Sequence, residues 1–285
     1  MIPALSWFHV GALSLTRLAS WQDYGTHDES AYPELWRGCV GAWAPCLGPT
    51  GTRLHDVSRY RNWGTLTNMD AATDWVVSGG RYALDLDGSN DYISILPIAP
   101  ALGFSFACWM LSGNASRIRQ SIFANSSDAS PDIYLHVESI SGTTQAMNFY
   151  NGSLYLGASS SFAMDTNWHH YCWTTTAGGQ VLYYRDGAFL SAASSTWTPS
   201  NDSSLVATLG GIVTLLGIGF NLLGQLDDCR RYSRTLSPAE IRLLATRRGI
   251  AYERRKRNQV YFDAAFFNPA WARNSNVILS PVGAA

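Results

Sequence analysis

The side chains that carry most enzymatic and metal chemistry are present here, at spacings that do little with them. His169 and His170 are adjacent in WHHYCWTT, residues 168–175, a stretch with the pattern of a strand. Neighbouring side chains on a strand point to opposite faces, so the two imidazoles cannot easily share one metal ion. The expectation is one histidine packed inward with a hydrogen bond and one facing out. Glutamates stand at 29, 34, 138, 240 and 253, none beside another acid on one strand. Glycoside hydrolysis needs two carboxylates across the scissile bond, and no E-x-D-x-x-E run occurs. A Ser/His/Asp set, a Cys/His metal cluster and a phosphate loop are also missing from the sequence. The chain therefore reads as a non-enzyme. Its five cysteines, Cys39, Cys46, Cys108, Cys172 and Cys229, are odd in number and scattered, and the last three fall in apolar strand patterns. That is the usage of buried free thiols, and it implies a reducing compartment at assembly. The run Arg254, Arg255, Lys256 and Arg257 holds the only lysine. It is either a solvated linker or a contact with an acidic partner surface; nucleic acid is the weaker option, because no motif accompanies it.

Composition bounds what could position such residues. The chain has 285 residues, 46% hydrophobic, 13% aromatic and 14% charged, with a formal net charge of −1. This is enough for one large β-sandwich with arms, or for two small domains. It argues against disorder, and near-neutral charge gives no whole-protein attraction to nucleic acid. The first twenty residues have no basic start, and His9, Gly11 and Ser14 break their apolar run, so no signal peptide is expected. The apolar tract 205–220 is too short for a bilayer and is punctuated by Gly210, Gly211, Gly217 and Gly219; two core strands are expected there.

The positioning elements read as short strands. In YALDLDGSNDYISI, residues 82–95, Leu84 and Leu86 share one face and Asp85 and Asp87 the other. Gly88 to Asp91 supply turn chemistry, and Tyr92, Ile93 and Ile95 restart a strand. Phe104, Phe106, Cys108 and Met110 fall on one face of FSFACWML. Further strands are expected at 38–43, 122–123, 133–137, 147–150 and 154–156, the cadence of a sandwich. VLYYRDGAFL, residues 181–190, is a hairpin about an Asp186-Gly187 type I′ turn. Near the end, Ser237, Pro238 and Glu240 form a capping box with proline at the first helical position, and Leu236 with Ile241 the hydrophobic staple. A helix is expected over 238–247, ending at Gly249.

In this order the motifs resemble those of the laminin-G-like jelly-roll family, relatives of the concanavalin A-like lectins, of the kind found in bacteriophage structural proteins. ALDLDGSNDYI matches the family signature "ALDFDGSNDYI". Asp56, Ser58, Asn62, Gly64, Thr65 and Leu66 match its loop segment, with Arg59 and Arg61 where glycines are common. FSFACWML and WHHYCWTT match two of its strands, and residues 224–244 its closing strand and helix, with Arg231 where the family is apolar. The resemblance covers about residues 38–247. It implies an all-β fold, a two-sheet antiparallel jelly-roll β-sandwich with one short helix and extended N- and C-terminal arms. The division expected is an arm at 1–37, the jelly roll at 38–249, and a basic run and arm at 250–285. Arg231 implies a strand face that is exposed or covered by an arm. Related folds often tie the loop segment to the closing strand with a hard cation, which implies calcium at Asp56 and Asp227. The alternative is that these acids bond backbone amides or pair with Arg59, Arg61 or Arg230.

Three functions stay open. The first is a non-enzymatic structural protein, a capsid decoration or tail or fibre accessory of a bacteriophage virion assembled in the host cytoplasm. The second is a carbohydrate-binding or adhesion module with a surface glycan as partner. A glycoside hydrolase is the remote third. No membrane partner is expected. The arms carry rings far from the sandwich pattern: Trp7, Phe8, Trp21, Tyr261, Phe262, Phe266, Phe267 and Trp271. With Arg254, Arg255, Lys256 and Arg257 they are expected to contact other subunits of a homo-oligomer or other virion proteins.

Overall fold

The computed structural model describes residues 7–10, 32–99, 101–126, 131–151, 153, 155–199, 206–214, 217–252, 261–263 and 279–281. The chain divides into two compact units, residues 1–17 with 253–285, and residues 18–252.

The larger unit is an antiparallel sandwich. One sheet runs in the order Tyr155–Gly157, Thr144–Tyr150, Pro131–Ser141, Arg119–Ser126, Val206–Leu209, Tyr92–Ile95, Gly64–Thr67 and Arg53–Leu54, with Phe162–Ala163 also paired to Thr144–Tyr150. The other runs Ala188–Thr196, Gln180–Arg185, Trp168–Thr175, Ser105–Ser112, Leu223–Tyr232, Arg81–Asp87 and Trp75–Ser78, with Cys39–Trp43 paired to Leu223–Tyr232. This is the jelly-roll sandwich that the motif order implies. The stretch 82–95 turns out to be the corner that passes the chain from one sheet to the other. Arg81–Asp87 and Tyr92–Ile95 pair with different partners. Gly88 takes φ +74°, and the Asp87 carboxylate accepts the Ser89 amide at 2.7 Å. The turn chemistry is therefore spent on a change of sheet.

Period two decides what is buried. Leu84, Leu86, Ile93, Phe104, Phe106, Cys108, Met110, Trp173 and Phe149 meet between the sheets. Burying large side chains of this kind contributes about 1.5–3 kcal/mol each. A second core lies on the outer face of the second sheet, where Leu35, Trp36, Leu47, Tyr232, Leu236, Ile241, Leu244 and Tyr252 pack. The helix that covers this face is Pro238–Leu244, with the capping box in place: Ser237 Oγ accepts the Glu240 amide and the Glu240 carboxylate accepts the Ser237 amide. It stops three residues short of the expected 247. The next residues are drawn elsewhere, Arg248 to the Ser78 carbonyl and the Gly249 amide to Asp228. A single helical turn, Pro33–Trp36, joins this core from before the expected domain boundary at 38.

Three positions with positive φ fall at the expected turn and loop. Asp186 and Gly187 take φ +52° and +78°, as a type I′ turn requires. Arg61, where the family prefers glycine, takes φ +54°. Arg231 departs from its expectation. It is not exposed: it is 2% exposed, with its guanidinium 4.6 Å from the Phe104 ring and 5.4 Å from that of Phe123. All five cysteines are free and buried.

In the smaller unit Trp7–Val10 lies between Tyr261–Asp263 and Leu279–Pro281 as the middle strand of a three-stranded antiparallel sheet. Phe8 is in register with both Phe262 and Pro281. The two ends of the chain are thus hydrogen-bonded to each other. Trp7, Phe8, Tyr261 and Phe262 sit in these strands; Trp21, Arg254, Arg255, Lys256, Arg257, Phe266, Phe267 and Trp271 lie outside the described residues.

Candidate functional site

The two aspartates of the implied calcium site have other work. Asp56 is fully buried. Its Oδ1 accepts the amides of Ala42 and Ser58, each at 2.8 Å. Its Oδ2 accepts the Asn62 amide and the Ser58 hydroxyl, each at 2.8 Å. Burial pushes its pKa up, and these four donors hold it back. Asp227 Oδ1 accepts the amides of Cys46 and Asp228 at 2.9 and 2.7 Å. Its Oδ2 lies 3.6 Å from Arg248 Nη1, and burial pushes its pKa to about 7. Calcium takes six to eight oxygens. The lone pairs of Asp56 already face N–H and O–H hydrogens, and the outer oxygen of Asp227 faces a guanidinium. This donor set does not fit a hard cation. Among the described residues no group of three or more His, Cys, Asp or Glu is gathered to hold a metal. The alternative holds for the amides, although the cation beside Asp227 is Arg248. The expected result is that a chelator leaves the thermal midpoint unchanged. A bound metal at a hundredfold excess over its Kd stabilises by about 2.7 kcal/mol. That would move Tm by roughly 5 to 10 °C, and a shift of that size in a calorimetric scan would defeat the reading.

The histidine pair splits between the faces as expected, but the side-chain hydrogen bonds go to the more exposed member. His169 sits between Asp186 Oδ2 at 2.7 Å and Asp165 Oδ1 at 2.9 Å. The Asp186 contact raises its pKa. Both ring nitrogens are consumed, so this is a clasp on the hairpin. His170 is buried against Trp109, and burial pushes it down to about 4.

Beside the short Ile212–Thr214 hairpin strand, the outer face of the first sheet carries a different constellation. In Pro131–Ser141 the residues Ile133, Leu135 and Val137 enter the core. The alternate positions Tyr134, His136 and Glu138 therefore face out. Strand pairing sets Glu138 opposite Arg119, Tyr134 opposite Tyr150, and Tyr150 opposite Tyr155. Cross-strand neighbours at this distance interact directly. Arg119 Nε and Nη2 both donate to Glu138 Oε1. Its Nη1 donates to the Tyr155 hydroxyl at 3.0 Å and the Tyr134 hydroxyl at 3.4 Å, and Tyr134 donates to Tyr155 at 2.7 Å. Glu138 Oε2 takes Asn148 Nδ2 at 3.1 Å and meets His136 Nε2 at 3.4 Å. The guanidinium also lies 5.0 Å from the Tyr155 ring centre and 4.5 Å from that of Phe220.

Electrostatically the cluster is settled. The His136 hydrogen bond, seconded by Arg119, pulls Glu138 down to about 2. Burial pushes His136 down to about 4, so at neutral pH it is uncharged and donates to an ionised Glu138. Two rings stay open to solvent, Tyr155 at 50% and Phe220 at 46%. Phe220 is held at φ +53°, a conformation that is a genuine outlier for a bulky residue. Strain of this kind costs on the order of 1–3 kcal/mol and gathers at functional sites. Here it sets an exposed aromatic ring parallel to Tyr134, 13° between planes.

Sequence reasoning found the strands of this site and missed its side chains. The signal was the alternation in IYLHVE, residues 133–138, which places an aromatic, a histidine and an acid on one face. Arg119, Tyr155 and Phe220 join them only through strand pairing. A separate groove of about 730 Å³ beside the helix is lined by Arg37, Tyr184, Arg234 and Glu240 among others. Arg234 and Glu240 there bind each other at 2.7 Å, and Arg234 also holds the Arg37 and Glu34 carbonyls. These groups clasp the helix, so the aromatic face remains the candidate.

Residues 70–242 match the family described as the concanavalin A-like lectin/glucanases superfamily. No curated protein matches the chain. Among solved structures, it is similar to domain 4 of AbnA, a GH43 extracellular arabinanase from Geobacillus stearothermophilus in complex with arabinotriose. Identity is 15%, TM-score 0.57, and 73% of this chain covers 98% of that one. It is also similar to the receptor binding domain of botulinum neurotoxin mosaic serotype C/D (14% identity, TM-score 0.54, covering 74% of this chain and 51% of that one). A third is the binding domain of botulinum neurotoxin DC in complex with SialylT (11%, TM-score 0.51, 74% and 52%). The chain spans about half the length of these toxin domains. At such identities the likeness is one of fold.

Proposed function

Since the chain belongs to the concanavalin A-like lectin/glucanases superfamily, we propose that it is a non-enzymatic binding module that takes a carbohydrate on the face of Arg119, Glu138, Tyr155 and Phe220. The observation that carries this is the pair of half-exposed rings, Tyr155 and Phe220, flanking a fixed guanidinium. Sugar rings present a face of polarised C–H groups, and aromatic faces carry the complementary negative quadrupole. Similar folds solved as an arabinanase domain with arabinotriose and as toxin binding domains support the reading. Glu138 does not suit the acid of a glycosidase. A glycosidase acid must hold its proton near neutral pH, and this carboxyl is drawn down to about 2.

The arms favour a second layer to this proposal. Strands from both chain ends pair in a unit of their own. That unit suits an attachment element, by which the sandwich is displayed on an assembled particle such as a bacteriophage virion, in a homo-oligomer or with other virion proteins. Deleting residues 258–285 tests it: loss of oligomer mass or of particle incorporation is expected, and retained assembly with lower Tm would defeat it.

The glycan reading is tested on an array of immobilised oligosaccharides. Tyr155→Ala and Phe220→Gly are expected to weaken binding by roughly tenfold or more each, the effect of losing an aromatic anchor. Phe220→Gly should leave Tm equal or higher, because glycine tolerates the positive φ. Unchanged binding in both variants would discard the site.

A further inference from the structure

Arg119 is the group on this face that would draw in an acidic sugar, and four of its five N–H donors are already spent. Nε and Nη2 go to Glu138, and Nη1 goes to the two tyrosine hydroxyls. The second oxygen of Glu138 is occupied by Asn148 and His136. The cluster therefore presents one cation and one anion in direct contact, with a neutral imidazole behind them. Among the described residues, what remains open is mostly apolar and weakly polar: the rings of Tyr155 and Phe220, the Tyr155 hydroxyl, and the second N–H of Arg119 Nη2.

Resting on the glycan reading above, we infer that this face selects neutral oligosaccharides and rejects sugars that carry a carboxylate. A neutral sugar can lay its C–H face on the two rings and exchange hydrogen bonds with the Tyr155 hydroxyl, without disturbing the ion pair. A sialic or uronic acid would bring a second carboxylate beside Glu138. Like charges juxtaposed in a contact are strongly unfavourable. Among the described residues its compensation would be a guanidinium with one N–H left to give, and it would shed its hydration to reach it. Arg119 on this account is a positioning residue: it holds Tyr155 and Tyr134 in place and spans the two open rings.

The test is calorimetric titration of the intact chain with matched pairs, each neutral oligosaccharide beside its sialylated or uronic acid counterpart. In the wild type the neutral member of each pair is expected to bind at least roughly tenfold more tightly, with little salt dependence. Glu138→Gln keeps the shape of the side chain and releases the charge of Arg119. In that variant the ratio of acidic to neutral affinity is expected to rise roughly tenfold at low salt, and to fall back as salt screens the guanidinium. The wild-type comparison needs no variant, so a poorly folded Glu138→Gln leaves the inference exposed to refutation. A wild type that prefers the acidic member would overturn the selectivity while the glycan site stands. So would a folded Glu138→Gln whose ratio is unmoved. If no sugar of either kind binds, the glycan reading itself fails and the inference goes with it.

Discussion

An Asp228→Ala protein is expected to lose about 4 kcal/mol of unfolding free energy, the cost of leaving a buried charge without its partner. Asp228 and Arg230 are 2% and 0% exposed, and Arg230 Nε donates to Asp228 Oδ1 at 2.8 Å. The same oxygen accepts the Tyr252 hydroxyl at 3.0 Å, and Oδ2 accepts the Gly249 amide at 2.9 Å. The guanidinium lies between the rings of Trp36 and Tyr252, 4.8 and 4.6 Å from their centres. The carboxylate thus fastens the closing strand to the turn at Ile250–Tyr252, and the Arg230 it holds reaches the helical turn Pro33–Trp36. Alanine removes three acceptor contacts, and it also places a methyl at φ +45°, which alanine adopts poorly. Asp228→Asn keeps an acceptor and tolerates that backbone, so a smaller loss is expected, on the order of 2 kcal/mol. Urea denaturation of the three proteins measures both values. An alanine variant within about 1 kcal/mol of the wild type would mean that water reaches Arg230 and that the pair is worth what a surface pair is worth.

The elements most legible in the sequence are those whose information is local. Period two placed Leu84 and Leu86, and Phe104 to Met110, on their buried faces. The capping box and the Asp186-Gly187 turn were readable because a few adjacent residues contain the whole geometry. The passage of 82–95 from one sheet to the other was not readable, since turn chemistry does not say which partners the flanking strands will find. The helix end was misjudged for a related reason: Asp228, some twenty residues upstream, captures Gly249. At the candidate site the alternation of Tyr134, His136 and Glu138 was visible, but its meaning was not. The cluster exists because pairing brings Arg119, Tyr155 and Phe220 to the same patch. Asp56 is the opposite case. The motif match was sound, and the local turn nevertheless uses all its lone pairs on Ala42, Ser58 and Asn62.

Arg231 supplies the other large effect, in the opposite direction: Arg231→Met is expected to raise unfolding free energy by about 1–3 kcal/mol. The residue stands where the family is apolar, and strand parity sends it between the sheets, against Phe104 and Phe123. Its Nη2 reaches the Ala99 carbonyl at 3.3 Å, while Nε and Nη1 have no hydrogen-bond partner among the described residues. Among the described residues no carboxylate forms an ion pair with it, in contrast to Arg230 one residue earlier. Stacking on two rings returns part of the lost hydration, about 2 kcal/mol for a desolvated cation–π contact, but two unpaired donors remain, each costing about 1–3 kcal/mol. Methionine keeps most of the volume, lies well against aromatic rings, and has no donors to satisfy. Arg231→Ala separates volume from charge. It removes the same donors but leaves a cavity, and a large-to-small change in a core costs about 2–5 kcal/mol, so this variant should fall below methionine by that margin. Equilibrium denaturation of both variants beside the wild type decides the matter. If methionine lowers stability by more than about 1 kcal/mol, the guanidinium contributes more through Ala99 and the two rings than its burial costs, and the family's apolar residue would be the poorer choice in this chain.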